Sequence, residues 1–163
     1  MRTFVIALAL LLFGSRVVSA ATPAPALRPN IIVIFTDDQG YGDLGCYGSP
    51  DIQTPHIDRL ASEGVRFTSF YAATFCGPSR AQMMTGCYAA CVGHARNPSP
   101  GAAFGLNPAE TTVAELLKNS GYATMCIGKW HLGDAPELLP TRHGFDAYFG
   151  LPFSNDMWRY HPN

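Results

Sequence analysis

The run Ile31-Ile32-Val33-Ile34-Phe35 constrains the fold more than any other stretch of this chain. It is continuously apolar and β-branched, so a strand built from it must be buried on both faces, as in a parallel sheet covered by helices. Helical and strand-like segments then take turns. "TPHIDRLASEG" predicts a helix, because Thr54 can cap, Pro55 suits the first turn, Ile57, Leu60 and Ala61 share a face, and Gly64 supplies the stop. Val65 to Tyr71 predicts a second strand, and Pro78 to about Thr85 a helix ended by Gly86. Val113, Leu116 and Leu117 mark a third helix with Gly121 at its C-terminal end, and Tyr122 to Ile127 predicts a third strand. The alternation argues for an α/β fold with a largely parallel sheet, in which functional groups gather at the carboxyl ends of the strands.

The first twenty residues read as an export signal: Arg2 as a charged start, an apolar run from Phe4 to Phe13, and small residues Val18-Ser19-Ala20 ahead of Ala21. The apolar run is too short for the ~20 residues that span a bilayer, so no membrane association is expected after cleavage. Residues 21–28 form a Pro- and Ala-rich leader. Losing Arg2 and Arg16 with the signal takes the formal charge from −1 to −3, which offers no basic surface to nucleic acid or acidic lipid. A small molecule or a glycan is the expected partner. Some 143 residues remain, with 47% of the whole chain hydrophobic, enough for one core.

Five cysteines, Cys46, Cys76, Cys87, Cys91 and Cys126, leave one over from any paired framework in an oxidising compartment. Their pairing is open. Cys87-x-x-x-Cys91 without a second pair is a weak zinc signal.

Three strand ends carry candidate chemistry: Asp37-Asp38-Gln39-Gly40, then Cys76, then Gly128-Lys129-Trp130-His131. Adjacent carboxylates resist ionising together unless a cation compensates, and oxygen ligands select a hard ion such as calcium or magnesium. A turn cap ahead of Gly40 is the plainer use of the same pair. Cys76, just before Pro78, would sit beside free helix-start N–H groups that favour anions, with Arg80 able to supply a forked donor. A disulfide half is the plainer reading of Cys76, and a solvated surface residue that of Arg80. In extended geometry Lys129 and His131 point the same way as a cationic wall, with Trp130 between them turned into the core. Together these groups suit attack on an anionic ester.

On these residues the chain resembles the sulfatase family, in its N-terminal portion. Cys76-Gly77-Pro78-Ser79-Arg80 followed by Thr85-Gly86 is similar to the family signature C-x-P-S-R with its trailing T-G. "TPHIDRLASEG", "GYATMCIGKWHLG" and "HGFDAYFG" stand in the family's order, and the likeness runs from Pro29 to the end. The resemblance implies an alkaline-phosphatase-like α/β/α sandwich over residues 29–163, incomplete in this chain. It implies an exported arylsulfatase-like sulfuric ester hydrolase, periplasmic, extracellular or in a lysosome-like compartment.

The same likeness implies that a separate maturation enzyme, reading Ser79 and Arg80 on the unfolded chain, oxidises Cys76 to Cα-formylglycine. The hydrated aldehyde is then the nucleophile toward sulfur. Asp37, Asp38 and the residue at position 76 would hold a calcium ion. Arg80 would stabilise the hydrate, Lys129 bind a sulfate oxygen, and His131 hydrogen-bond the hydrate's second hydroxyl, while Ser154 in "LPFSNDM" stands near the substrate. Cys87 and Cys91 stand where relatives often carry arginine. The family completes its metal shell and leaving-group acid with residues far downstream of Asn163, so this chain alone is expected to be inactive. Two alternatives stay open: a phosphonate or phosphodiester hydrolase of the same superfamily, and a non-catalytic, disulfide-stabilised binding domain.

Overall fold

The structure is a computed structural model and describes residues 28–154, so the export signal and nearly all of the leader lie outside the described residues. The chain divides after Phe35 into two compact units. In the first, residues 28–35 take no regular secondary structure, and Ile32 and Ile34 are each 82% exposed. The strand expected at Ile31 to Phe35 is therefore absent. A strand exists only through its ladder, and this run has no ladder partner among the described residues.

The second unit, from Thr36, carries three α-helices among the described residues: α1 (Pro55–Glu63), α2 (Cys76–Thr85) and α3 (Val113–Asn119). Their ends follow the local chemistry. Pro55 opens α1 and Gly64 follows its last residue. Thr54 does not cap in the usual way: its hydroxyl accepts from Gly45 N at 2.8 Å and donates to Asp58 Oδ1 at 2.9 Å. α2 begins at Cys76, two residues earlier than Pro78 suggests, and ends at Gly86, whose φ of 69° is the left-handed conformation that glycine adopts freely. α3 starts in a reciprocal box, with Thr112 Oγ1 accepting from Glu115 N and Glu115 Oε2 accepting from Thr112 N.

The expected strand at Val65 to Tyr71 is also irregular. Its carbonyls are taken by side chains instead of a neighbouring strand: the Tyr47 hydroxyl donates to Phe67 O at 2.6 Å and the Tyr41 hydroxyl to Phe70 O at 2.8 Å. Of Tyr122 to Ile127 only Met125–Ile127 forms a strand, β1, which pairs in parallel with β2 (Ala147–Phe149). The sheet is thus parallel, as the α/β reading requires, with Cys126 opposite Tyr148.

Hydrogen bonding continues past the strand ends. Trp130 N donates to Leu151 O at 2.9 Å, which extends the β1–β2 pairing to residue 130, and His131 N donates to Pro152 O at 3.1 Å where the chain turns out of the ladder. The core gathers Ala81, Met84, Val92, Leu106, Ala114, Cys126, Trp130 and Leu132. Trp130 is fully buried and its indole N–H donates to Leu138 O at 2.7 Å, which satisfies its polar edge.

Candidate active site

Cys76 is the first residue of α2, at the end where the helix leaves backbone N–H groups free. Its Sγ lies 3.1 Å from Nδ1 of His131, fifty-five residues away in sequence. His131 is 3% exposed, and its ring meets Phe153 edge to face at 4.5 Å. Its backbone is left-handed, with φ at 57°, so the stretch Lys129 to His131 is not the extended segment expected from sequence. The two cations consequently serve different partners. His131 turns to Cys76, and Lys129 Nζ reaches Asp37 Oδ2 at 2.8 Å. Trp130, between them, packs into the core as expected.

Arg80 lies one turn into α2, and its Nε donates to the carbonyl of Trp130. That bond ties the helix bearing Cys76 to the segment bearing His131. Burial pushes the Arg80 guanidinium below its ordinary value, opposed by Cys126 and Asp37. Burial, with the positive charges of Lys129 and Arg80, lowers the His131 imidazole to about 4, so it is neutral at pH 7. Lys129 moves the other way. Burial lowers it, but the hydrogen bond to Asp37 and the nearby Cys76 outweigh that and raise it overall. The result is a thiol at a helix start facing a neutral imidazole, flanked by a guanidinium and an ammonium, an arrangement suited to an anionic group.

Asp38 also has a left-handed backbone, φ 53°, and follows Asp37 at the edge of this cluster. Among the described residues, no group of three or more His, Cys, Asp or Glu is placed to hold a metal ion. The Asp37 carboxylate is paired with the Lys129 ammonium, and the carboxylate oxygens of Asp37 and Asp38 are donors of the type a hard cation takes. Ser154 is buried one residue beyond Phe153, the ring that touches His131. All five cysteines are free, so no disulfide holds Cys76, and Cys126 belongs to the core. A cavity of about 490 Å³ lined by Gly45, Cys46, Asp58, Ala61, Ser62 and Arg66 includes none of the candidate site residues.

Sequence reasoning missed Asn97. Its Oδ1 accepts from Gly77 N at 2.8 Å and lies 3.7 Å from Cys76 Sγ. It also missed His94, fully buried, whose ring stacks on Phe104 at 4.9 Å and whose Nε2 lies 3.3 Å from where a Cβ on Gly77 would stand. The Pro and Gly around Asn97 signal only a loop.

Comparison with known proteins identifies the family of the chain. The family model "Sulfatase" matches residues 29–163. The chain is 47% identical to rat arylsulfatase G over 86% of its length and 48% identical to human arylsulfatase A over 85%. These matches cover 26% and 28% of the relatives, so the chain spans about a quarter of their length. Among solved structures, Ps i-CgsB matches with TM-score 0.67 at 45% identity, covering 70% of this chain and 26% of that one. A structure from work on glycosaminoglycan metabolism by Bacteroides thetaiotaomicron matches with TM-score 0.71 at 41% identity, covering 77% and 28%.

Proposed function

We propose, since this chain belongs to the sulfatase family, that the protein is a sulfuric ester hydrolase acting through Cα-formylglycine at position 76 and a bound calcium ion. The fold is the α/β, alkaline-phosphatase-like fold of its structural neighbours. The observation that carries the reading is the meeting of Cys76 and His131, 3.1 Å apart, at the start of a helix whose first turn reads C-x-P-S-R.

Each side chain then has a task that follows from where it stands. Formylglycine, made from Cys76 by a separate maturation enzyme, supplies a hydrated aldehyde as the nucleophile toward sulfur. The start of α2 favours the negative charge that gathers there. His131, neutral at pH 7, can accept a proton or a hydrogen bond from a hydroxyl at position 76. Arg80, anchored to Trp130 O, holds positive charge beside that position. Lys129 places its ammonium where a sulfate oxygen can exchange with Asp37 as its partner. Asp37 and Asp38, with the residue at 76, would hold the calcium ion, which contributes charge neutralisation for the anionic ester. Ser154 contributes a polar contact on the substrate side. The substrate class is a sulfated small molecule or glycan. The protein is exported, through cleavage of residues 1–20, to a periplasmic, extracellular or lysosome-like compartment, and 29–163 is the N-terminal portion of the catalytic domain.

The test is an assay of the full-length protein on paired sulfate and phosphate monoesters and diesters, together with peptide mass spectrometry of position 76. Sulfate monoester preference is expected, with the Cys76 peptide lighter by roughly 18 Da. Preference for a phosphodiester would replace the substrate class, and an unmodified Cys76 in fully active protein would sink the mechanism.

A further inference from the structure

We propose that Asn97 is a positioning residue of this site. Its side-chain oxygen caps the first turn of α2 and so fixes where the side chain at position 76 points relative to His131. As a statement about catalysis, this rests on the reading above.

The start of α2 has no cap of its own. The N-cap residue is Phe75, whose side chain accepts nothing. Pro78 has no N–H, and the first intrahelical bond runs from Ser79 N to Phe75 O at 3.1 Å. Gly77 N is therefore an orphan donor of the first turn, and it is satisfied from outside the helix, by Asn97 Oδ1 at 2.8 Å.

The loop bearing Asn97 approaches Gly77 closely: a Cβ there would stand 2.8 Å from Asn97 Oδ1 and 3.3 Å from Asn97 Cα, so a side chain at 77 would push against the amide that caps the helix. The loop is itself braced. His94 N donates to Ala89 O at 2.7 Å, the His94 ring stacks on Phe104, and the Arg96 guanidinium sits 4.7 Å over the same Phe104 ring. One amide oxygen thus holds the peptide next to Cys76 while lying 3.7 Å from the Cys76 side chain. A reacting group on that peptide inherits its aim from Asn97, and small misplacements of reacting groups are costly.

The experiment uses the full-length protein with Asn97→Ala and Asn97→Asp, the second keeping an oxygen that can accept from Gly77. Four quantities are read: kcat and KM on a sulfate monoester, formylglycine content at position 76, and hydrogen exchange resolved at the Gly77 amide. Asn97→Ala should lower kcat by about tenfold or more with KM within about twofold, since aim matters more in the transition state than in binding. Formylglycine content should stay at the wild-type level, because maturation reads the unfolded chain, and Gly77 exchange should quicken by about tenfold. Asn97→Asp should restore slow exchange at Gly77, while its carboxylate, standing beside the place of the anionic ester, should leave kcat below wild type. A kcat within twofold of wild type in Asn97→Ala, or unchanged exchange at Gly77, would overturn the proposal, as would formylglycine content falling in step with activity. If the wild-type protein splits no sulfate ester, the functional reading fails separately. The Gly77 exchange then decides alone, faster exchange in Asn97→Ala upholding the role of Asn97 and unchanged exchange overturning it.

Discussion

Two helices of nearly equal length stand in this molecule on opposite terms. α1 has an apolar stripe and well-marked ends, yet none of its residues is buried, and Leu60 is 66% exposed. α2 has little amphipathic pattern, but buries Gly77, Pro78, Ser79, Ala81 and Met84. α1 is held chiefly by polar contacts, with Asp58 Oδ1 accepting from Cys46 N at 2.6 Å and from the Thr54 hydroxyl. α2 is held by packing around Trp130 and by Arg80 and Asn97 bonds at its first turns. The difference teaches that a helix's apolar stripe shows which face could be covered, whereas burial depends on partners supplied from far along the chain.

The contrast can be broken by substitution. The largest effect is expected on the α2 side: Cys76→Ala in the full-length protein should cut kcat by on the order of a thousandfold or more while leaving the unfolding midpoint nearly unchanged. Retained turnover would remove Cys76 from the chemistry. Next, Trp130→Ala should destabilise the chain by about 3–5 kcal/mol in urea unfolding, since it empties the centre of the core. A loss under about 1 kcal/mol would mean that the core is not what holds α2.

On the α1 side the effects shrink. Asp58→Ala removes the acceptor for Cys46 N and Thr54 Oγ1 and should cost about 1–2 kcal/mol, measured by the same unfolding curves. Smaller again is the exposed pair between α3 and the residue ahead of β2, in which Lys118 Nζ lies 2.7 Å from Asp146 Oδ1. The hydrogen bond from Lys118, followed by those from Thr124, holds Asp146 down at about 2. A depressed carboxylate stabilises the fold above its unfolded value and loses that contribution as pH falls through the folded one. The advantage of wild type over Lys118→Met should therefore persist above about pH 4 and close as pH approaches 2, an outcome that acid titration of the two proteins would check. An advantage independent of pH would assign Lys118 another role. Smallest of all, Leu60→Ala should shift the stability of the 163-residue chain by no more than about 0.5 kcal/mol. A larger loss would show that the stripe of α1 is covered after all.

The same divide marks what could be read from the residues alone. Pro55, Gly64 and Gly86 act within a few positions of themselves, so the helices were legible, with α2 alone starting two residues early and Thr54 reaching to Gly45 in place of capping. Strands depend on neighbours. Ile31 to Phe35 and Val65 to Tyr71 carry every intrinsic preference for extended structure and still form none, one lacking a ladder partner among the described residues and the other giving its carbonyls to tyrosine hydroxyls. Ala147–Phe149 pairs because Met125–Ile127 lies beside it, which nothing in "AYF" announces. In the site, Cys76, Arg80, Lys129 and His131 were singled out by the signature and by a strand-end reading, of which only the end of Met125–Ile127, ahead of Lys129 and His131, is a strand end in the structure. The left-handed turn at His131 and the reach of Asn97 were not, since both depend on contacts made across more than a dozen positions.

Trp130 and His131 are consecutive residues, one sealed in the interior and the other facing Cys76. A single peptide unit therefore couples how tightly the interior is filled to how the His131 imidazole meets Cys76. Under the proposed function, loosening the indole's surroundings is expected to slow turnover before it unfolds the chain, which would make activity the more sensitive gauge of interior order.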